Sequence, residues 1–412
     1  LAAAEDPHAG MPALGALAGH DVFVIFVESY GRTTLDTPSY RATTEAVLRG
    51  AEAELGARGL VARSAFLTAP MVGGQSWLAH GSLLSGLRLD SEGRYRALLA
   101  SPRKTLLRLA QGAGWRTVAL MPAITLAWPE AGYFGYDRVL AAADLGYRGR
   151  PFNWITMPDQ FALASLERQE LDRQPRPPVF VEAALISSHA PWIPVPPMLP
   201  WEDLGDGRVF DPVAAGGETP EALWRDPDRV RDQYRQAIAY SLRAVFGFAA
   251  RRGETRPVFV VLGDHQPAGF VAQEPGNRDV PVHLIGPPDL VARIGGWGWS
   301  AGLVPADYLW DTVSIGTLIA FSVVSVGIIV LRNSHPDLER PFKIPGYPVT
   351  PILSVLACLW ILIQLPLITW IIFGVWTAIV LAFYALYGRH HAVLNHVTDL
   401  EEIAEPRGDE EN

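Results

Sequence analysis

The sequence predicts an α/β domain with a mostly parallel sheet covered by helices on both faces, followed by three transmembrane helices. Up to about residue 303, short apolar runs alternate with helix-like segments, a pattern typical of parallel α/β sheets. Beyond about residue 312, uncharged runs are long enough to cross a bilayer. We therefore expect a linker over 1–17, a polar domain over 18–303, a membrane segment over 304–395 and an acidic cytoplasmic tail over 396–412.

The polar domain alternates strand and helix candidates. Strands are predicted at 21–27, 116–121, 178–186, 257–262 and 280–285. Helices are predicted near 37–58, 76–87, 103–113, 158–172 and 227–251. In such sheets ligands bind beyond the carboxyl ends of the strands, so the residues that follow each strand are the candidates for a site.

The membrane segment is predicted to contain helices over about 312–331, 349–366 and 368–387. The loop between the first two helices carries Arg332, Arg340 and Lys343, and basic residues also follow the last helix. The positive-inside rule places this loop and the C-terminus in the cytoplasm. The polar domain would then lie on the extracytoplasmic face of the cell membrane.

The composition excludes several classes of function. The formal net charge of -9 and the pI of about 5.6 argue against a nucleic-acid partner. The one cysteine, Cys358, lies in an apolar run, which excludes a disulfide framework and a cysteine-based zinc site. The chain begins at Leu1 without a signal-peptide pattern, so we expect a fragment whose own start is missing.

Polar side chains follow the strand candidates at the predicted edge of the sheet. Glu28 follows the strand at 21–27, and Asp264 and His265 follow the strand at 257–262. Singly, each has an ordinary structural explanation, such as a helix cap or a surface carboxylate. Together, two carboxylates and an imidazole would ligate one divalent metal ion, for which we expect Mn, with Zn or Mg as alternatives.

Ser76 is the candidate nucleophile. It follows Gly73 and Gly74 at the predicted start of a helix, where backbone N–H groups and the helix dipole favour a phosphate or an alkoxide. A serine bound to a metal ion is activated because its pKa is lowered. Standing alone, the same residue would be read as a plain helix cap.

Five motifs carry a family resemblance over about residues 18–300: FVESYG, SWLAHGSLLSG, GYD, SSHAPW and GDHQP. In this order they resemble the alkaline phosphatase/sulfatase superfamily, and most closely its lipoteichoic-acid-synthase-like and phosphoethanolamine-transferase-like membrane branch. The resemblance implies an alkaline-phosphatase-like fold and a sulfatase-like enzyme that acts on a phosphate-ester or lipid-linked substrate of the cell envelope.

The resemblance also implies roles for individual residues. Ser76 would be both nucleophile and metal ligand, beside the ligands named above. His189, in SSHAPW, would bind the substrate phosphate or assist the leaving group. Trp128 and Trp192 would contact the substrate. His80 and His283 are kept as possible extra metal ligands or surrounding groups, although a histidine on a helix face or a strand is more often structural.

Two departures from the family pattern narrow the chemistry. The sulfatase motif C/S-x-P-x-R is not matched by Ser76-Trp77-Leu78-Ala79-His80, which argues against cleavage of sulfate esters. In the lipoteichoic-acid branch an arginine follows two residues after a tryptophan, but here Trp128 is followed by Pro129 and Glu130. The resemblance therefore does not imply a phosphoglycerol substrate for this chain.

The segment from about 304 to 395 resembles a different family. The motifs SIGTLIAF, LRNSHPDLERPFKIPGYPVTPILS and LPLITWIIFGVW are similar to the last three helices of amino-acid permeases of the amino acid–polyamine–organocation superfamily. Such transporters bind substrate in their first half, which this chain does not contain. Transport by this chain alone is therefore not expected.

These observations favour an extracytoplasmic, metal-dependent phosphotransferase or phosphodiesterase with a serine nucleophile. Three alternatives stay open at this point: a permease-derived membrane protein with the polar domain as a passenger, a sulfuric ester hydrolase, and an inactive binding domain on the same fold.

Overall fold

The computed structural model describes residues 14–273, 276–304, 308–334, 345–363, 367–383 and 385–386. The chain divides into an N-terminal unit, Leu1–Pro305, and a C-terminal unit, Ala306–Asn412. Most of the expected linker over 1–17, most of the charged loop between the first two predicted membrane helices, and the acidic tail over 396–412 lie outside the described residues.

The N-terminal unit is built on one eight-stranded sheet with the order β4-β3-β5-β1-β6-β7-β2-β8. The strands are β1 (Val22–Val27), β2 (Val61–Thr68), β3 (Arg116–Met121), β4 (Arg138–Ala141), β5 (Val179–Ala184), β6 (Val258–Gly263), β7 (Asp279–Gly286) and β8 (Ser300–Ala301). Every strand predicted from the sequence is present, and β2, β4 and β8 are additional.

The described residues of this unit also form the helices α1 (Thr33–Asp36), α2 (Pro38–Ala57), α3 (Ser76–Ser85), α4 (Glu92–Leu99), α5 (Leu106–Gly112), α6 (Ala131–Phe134), α7 (Asp159–Leu166), α8 (Asp211–Ala214), α9 (Pro220–Leu223), α10 (Pro227–Arg252), α11 (Gly269–Ala272) and α12 (Pro288–Val291). A π-helical turn, Glu167–Leu171, extends α7, and short 3-10 turns occupy Gly15–Leu17, Ala142–Leu145, Trp201–Asp203, Arg208–Phe210, Gly253–Thr255 and Ala292–Trp297.

The sheet is mixed rather than uniformly parallel. The pairs from β4 through β3, β5 and β1 to β6 are parallel, whereas the pairs of β7, β2 and β8 are antiparallel. The predicted mostly parallel sheet is therefore a mixed one, since β7, the strand predicted at 280–285, runs antiparallel to β6. The segment between β6 and β7 contains only the four-residue α11, so it returns antiparallel beside β6 instead of crossing the sheet as a parallel connection requires.

Helices cover both faces of the parallel part of the sheet, as predicted. Alternate residues of β1 point to opposite sides: Phe23, Ile25 and Val27 join a core with residues of α2, α7 and α10. Val22, Val24 and Phe26 join a second core with residues of α3, α4 and α5. Burial on both faces explains why the strand is apolar at every position instead of alternating.

The end of β6 packs tightly against the backbone that follows β1. A Cβ added at Gly263 would lie 1.9 Å from the Tyr30 carbonyl oxygen, whereas one at Gly269 would meet nothing within 4 Å. We expect Gly263→Ala to destabilise the chain by about 2–4 kcal/mol, because the strand end would have to move. Gly269→Ala is the matched control and should change stability by about 0.5 kcal/mol or less. Thermal unfolding of the full chain checks this, and equal melting temperatures for the two variants would contradict it.

The C-terminal unit is helical, with α13 (Tyr308–Ser334), α14 (Val349–Ile363) and α15 (Leu367–Phe383) at the predicted positions. Within it α13 lies against both α14 and α15. Among the described residues, one helix is long and apolar enough to cross a membrane, over Thr317–Ser334. Three membrane crossings therefore stay a prediction.

Candidate active site

The ends of two neighbouring strands bring the predicted ligands together. β1 and β6 are parallel and paired in register, with Val27 opposite Gly263. The next residues along each strand are Glu28 and Asp264, so both side chains leave the sheet at the same edge. β5 pairs with the other side of β1 and carries the loop that contains His189 to this edge.

Glu28, Asp264 and His265 form a compact group. One potential ligand atom from each residue lies within 4.8 Å of the others. His265 Nε2 lies 3.3 Å from Glu28 Oε1 and 3.6 Å from Asp264 Oδ2. Among the described residues, this is the group of histidine, cysteine and carboxylate side chains that is arranged to hold a metal ion.

Hydrogen bonds orient the histidine of this group. His265 Nδ1 lies 2.8 Å from the Gln266 carbonyl oxygen, so Nδ1–H donates to it. The Gly74 backbone N–H in turn donates to Nε2 over 3.1 Å. In the neutral ring, which a metal ligand requires, the lone pair is therefore on Nε2, the atom that faces the carboxylates.

Backbone donors fix the Asp264 carboxylate. Asp264 Oδ1 accepts the N–H of Ser29 at 2.8 Å and that of His265 at 2.7 Å. Glu28 Oε1 accepts the hydroxyl of Ser29 at 2.8 Å. Asp264 therefore has Oδ1 held by backbone N–H groups and Oδ2 turned toward His265, whereas Glu28 uses Oε1 for both Ser29 and His265.

The charges of the group perturb one another. Burial alone would raise the pKa of Glu28, but the hydrogen bond and the charge of His265 outweigh it and lower this pKa to about 2. Burial and the neighbouring Glu28 charge raise the pKa of Asp264 to about 6. Burial opposes the charge on His265, but the carboxylates outweigh it and raise its pKa to about 10. Two buried carboxylates around a single imidazole favour an added positive charge.

Ser76 lies at the mouth of this group. Its hydroxyl donates to Glu28 Oε2 at 3.2 Å and lies 3.3 Å from His265 Nε2. It is the first residue of α3, and Gly73, Gly74 and Gln75 before it all have positive φ values of 59°, 78° and 60°. This left-handed run, which glycine tolerates best, turns the chain so that the N-terminus of the helix points at the ligand group.

His189 lies beside the group without joining it. The side chain is exposed, and its Nδ1 is 2.5 Å from the Ala190 carbonyl oxygen. The neighbouring Ser188 hydroxyl donates to the Glu28 carbonyl oxygen at 2.6 Å, which ties this loop to the end of β1. The proximity of His189 also contributes to the lowered pKa of Glu28.

The two tryptophans predicted to bind substrate differ in how much of their surface is exposed. Trp128 is partly buried against Phe134 and Tyr136 and keeps part of its surface open. Trp192 is only 2 % exposed, and its indole N–H donates to the Ser188 carbonyl oxygen at 2.7 Å. This burial does not fit the predicted direct contact between Trp192 and a substrate. The indole instead holds the loop that contains His189 from inside the core.

The two further histidines do not join the ligand group. His80 Nδ1 donates to Glu182 Oε1 at 2.9 Å, and its ring stacks on Phe26. His283 is fully buried, with Nδ1 at 2.7 Å from the Ser64 hydroxyl and Nε2 at 3.1 Å from the Tyr30 hydroxyl. Burial lowers the pKa of His283 to about 3, so it is neutral and both ring nitrogens have partners.

Sequence reasoning missed two residues that support the site. Glu182 is 1 % exposed in the middle of β5 and receives hydrogen bonds from His80 and from the Tyr136 hydroxyl. The sequence feature that could have identified Glu182 is a charged residue in the middle of an apolar strand. Asp159 is fully buried and accepts the N–H groups of Ile186 and Ser187, each at 2.9 Å, which shapes the His189 loop. No local pattern marked it.

The C-terminal part of the chain is similar to amino-acid permeases. Residues 342–392 match the family model for the C-terminus of AA_permease. The chain is 50 % identical over 149 residues to the branched-chain amino acid permease BcaP of Bacillus subtilis (strain 168), covering 35 % of this chain and 30 % of the permease. It is 43 % identical over 95 residues to the methylthioribose transporter of the same organism, covering 23 % and 21 %. The chain thus spans less than a third of the length of these relatives.

Solved structures similar to this chain come from another family. One is the lipoteichoic acid synthase LtaP from Listeria monocytogenes, with a TM-score of 0.44, 14 % identity and coverage of 66 % of each chain. Another is a protein in the alkaline phosphatase superfamily from Vibrio parahaemolyticus, with a TM-score of 0.42, 14 % identity and coverage of 66 % and 61 %. The C-terminal sequence is therefore similar to amino-acid permeases, as predicted.

Proposed function

We propose that the N-terminal unit is a metal-dependent phosphotransferase or phosphodiesterase that uses Ser76 as its nucleophile. The observation that carries this proposal is the position of one hydroxyl: Ser76 Oγ lies at the N-terminus of α3 and within 3.3 Å of both Glu28 and His265. A half-buried hydroxyl at a helix N-terminus, beside a metal-ligand group, is suited to attack on phosphorus.

The donor set fits a divalent cation. Two carboxylates and an imidazole nitrogen converge, with one potential ligand atom from each within 4.8 Å of the others. Glu28, Asp264 and His265, with the Ser76 hydroxyl, would hold Mn, or alternatively Zn or Mg. When bound, such an ion lowers the pKa of the serine hydroxyl and stabilises negative charge on the phosphoryl oxygens.

The residues of the chain would carry out two transfers. Ser76 Oγ releases its proton to solvent and forms a bond to phosphorus while the bond from phosphorus to the leaving oxygen breaks, which gives a phosphoseryl intermediate. The backbone N–H groups at the start of α3 would face the phosphoryl oxygens. His189 donates a proton to the leaving oxygen. Water or an acceptor hydroxyl then attacks phosphorus and releases Ser76, which gives hydrolysis or transfer respectively.

A membrane location and a second candidate function rest on the C-terminal unit. We propose that its helices anchor the chain in the cell membrane with the N-terminal unit on the extracytoplasmic side, following the charges around the predicted spans. The 50 % identity to a permease over 149 residues also favours the alternative that the chain is permease-derived and the N-terminal unit is a passenger.

The full chain tests the proposal with bis-(p-nitrophenyl) phosphate as substrate. We expect turnover that EDTA abolishes and that Mn, Zn or Mg restores, with Mn the most effective. p-Nitrophenyl sulfate is the matched substrate for the sulfuric ester alternative, and we expect little turnover of it. A folded chain that neither binds these metals nor cleaves the phosphodiester would contradict the enzyme and support the passenger or inactive binding domain.

A further inference from the structure

A pair of ionisable groups lies beside the candidate active site and has no part in the proposed chemistry. Glu182 is 1 % exposed in the middle of β5, and its Oε1 accepts a hydrogen bond from His80 Nδ1 over 2.9 Å. The Tyr136 hydroxyl donates to the other carboxylate oxygen, Oε2. An apolar side chain would fill this position at lower cost, because a buried charge loses its hydration. A buried carboxylate beside a candidate site therefore calls for a functional explanation.

The ring of His80 lies between Glu182 and the metal-ligand group. Strand β1 gives the order along the sheet, where Val24 is paired with Glu182. Phe26, two residues on, stacks on the ring of His80 with 3.8 Å between the ring centroids. Glu28 follows after another two residues, about 6.6 Å further at the rise of a strand. The ring is therefore bonded to Glu182 on one side and has the ligand group on the other.

The two ring nitrogens of His80 are in different surroundings. Nδ1–H donates to the Glu182 carboxylate, so the neutral ring has its lone pair on Nε2. The two nitrogens of an imidazole point in nearly opposite directions, so Nε2 is turned away from Glu182. Among the described residues Nε2 has no hydrogen-bond partner, and it is not enclosed, since 13 % of the side chain is exposed. An imidazole that a carboxylate orients, with Nε2 open, is suited to accept a proton.

Ser76 lies one helical turn from His80 on the same face of α3. Residues four apart are about 5–6 Å apart between Cβ atoms, and helical side chains lean toward the N-terminus, so His80 leans toward Ser76. Burial chiefly raises the pKa of Asp264, but the proximity of His80 acts to lower it, so the ring is also near this ligand. Ser76 Oγ bonds Glu28 and His265 rather than His80, so proton transfer to His80 needs one bridging water.

We propose that His80 receives, through one water molecule, the proton that Ser76 releases to solvent, and that Glu182 positions His80 for this transfer. The proposal rests on the proposed function. As the bond from Oγ to phosphorus forms, the water takes the Ser76 proton and gives one of its own to His80 Nε2, and the imidazolium pairs with the Glu182 carboxylate. When water or an acceptor hydroxyl later displaces Ser76 from phosphorus, His80 returns the proton to Oγ by the same route.

The test measures kcat/KM for bis-(p-nitrophenyl) phosphate with the metal-loaded full chain, because kcat/KM includes the step in which Ser76 is phosphorylated. We expect His80→Ala to lower kcat/KM by about 10²-fold or more while its metal content stays near native. Imidazole in the solution should restore part of the lost rate. 1,2,4-Triazole, a ring of the same size but a much weaker base, should restore little.

The two azoles separate a base from a ring that only fills space. Equal restoration by both, or restoration by neither, overturns the proton relay from Ser76 to His80. Loss of metal in His80→Ala would make His80 a ligand and overturns the relay as well. The native chain, measured at the same azole concentrations, corrects for any effect of the azole on the bound metal.

His20→Ala is the matched control for His80→Ala. His20 is also a partly exposed histidine whose Nδ1 bonds an oxygen, the Arg256 carbonyl at 2.7 Å. It comes before β1, however, and so lies at the opposite edge of the sheet from Glu28. Its kcat/KM should stay near native with and without imidazole.

Glu182→Gln tests the positioning role, since glutamine keeps the shape of the side chain and removes its charge. We expect it to lower kcat/KM by about tenfold or more, and the double variant with His80→Ala to be no slower than His80→Ala alone, because Glu182 acts through His80. Losses that multiply in the double variant overturn the relay. If Glu182→Gln does not fold, His80→Ala with the two azoles decides alone.

Failure of the relay and failure of the proposed function give different results. Native turnover that His80→Ala leaves unchanged overturns the relay and leaves the proposed function standing. A folded, metal-loaded native chain without turnover overturns both.

Discussion

Ser76→Ala is expected to lower the rate of bis-(p-nitrophenyl) phosphate cleavage by at least about 10³-fold, because it removes the attacking atom. The structure offers one rival within the same group. Ser29 also donates its hydroxyl to Glu28, at 2.8 Å. Ser29 is only 5 % exposed, however, whereas Ser76 is half-buried at the mouth of the site, so a substrate reaches Ser76 first.

Two control variants make this prediction specific. Ser29→Ala removes a hydrogen bond to the same carboxylate and should reduce the rate much less than Ser76→Ala does. Ser85→Ala changes a buried serine of the same helix, whose hydroxyl donates to the Gly81 carbonyl oxygen, and should leave the rate near native. Turnover that survives Ser76→Ala but is lost in Ser29→Ala would assign the nucleophile to Ser29. Mass spectrometry of the acid-quenched native chain should locate the phosphoryl group on Ser76.

The sequence predicted the strands that are buried on both faces, because burial on both faces makes a strand apolar along its whole length. β1 and β6 are continuous apolar runs because helices cover both sides of them. β2 was missed because it lies near the edge of the sheet, where partly exposed positions allow Arg63 and Thr68 within the strand. β4 and β8 have four and two residues, too few for a period to be recognised.

The ligand group was predictable for a topological reason. Glu28 and Asp264 each follow a buried strand, and parallel strands place their carboxyl ends at one edge. Trp192 and His283 were harder to assign, because residue type does not reveal burial. A tryptophan near a substrate-binding histidine and a histidine on a strand look the same in sequence whether they face solvent or, as here, the core.

The pairing of His80 with Glu182 could not be predicted from spacing, because the two residues lie 102 positions apart and meet only through the packing of α3 on the sheet. Because His80 is held by Glu182, a comparison of His80 with His265 tests which histidine is a metal ligand. His80 pairs with Glu182, whereas His265 turns its Nε2 toward Glu28 and Asp264.

Asp264→Asn and His265→Ala are each expected to lower metal affinity by more than about 100-fold, since second-shell changes alone cost 10- to 100-fold. Asp264→Asn is nearly isosteric and keeps an oxygen that can accept the Ser29 N–H, so it removes the charge with little change in packing. The metal content of the full chain after dialysis, together with phosphodiester turnover, provides the measurement. Both quantities should fall together in these variants.

His80→Asn is the discriminating control for this prediction. If the ligand group is Glu28, Asp264 and His265, loss of the His80 ring breaks the hydrogen bond to Glu182 and leaves the metal content near native. Equal loss of metal in His80→Asn and His265→Ala would mean that His80 is itself a ligand and that the three-residue group is incomplete. Retention of metal in Asp264→Asn and His265→Ala would instead place the ion elsewhere, and Ser76 would then lose the activation on which its proposed role depends.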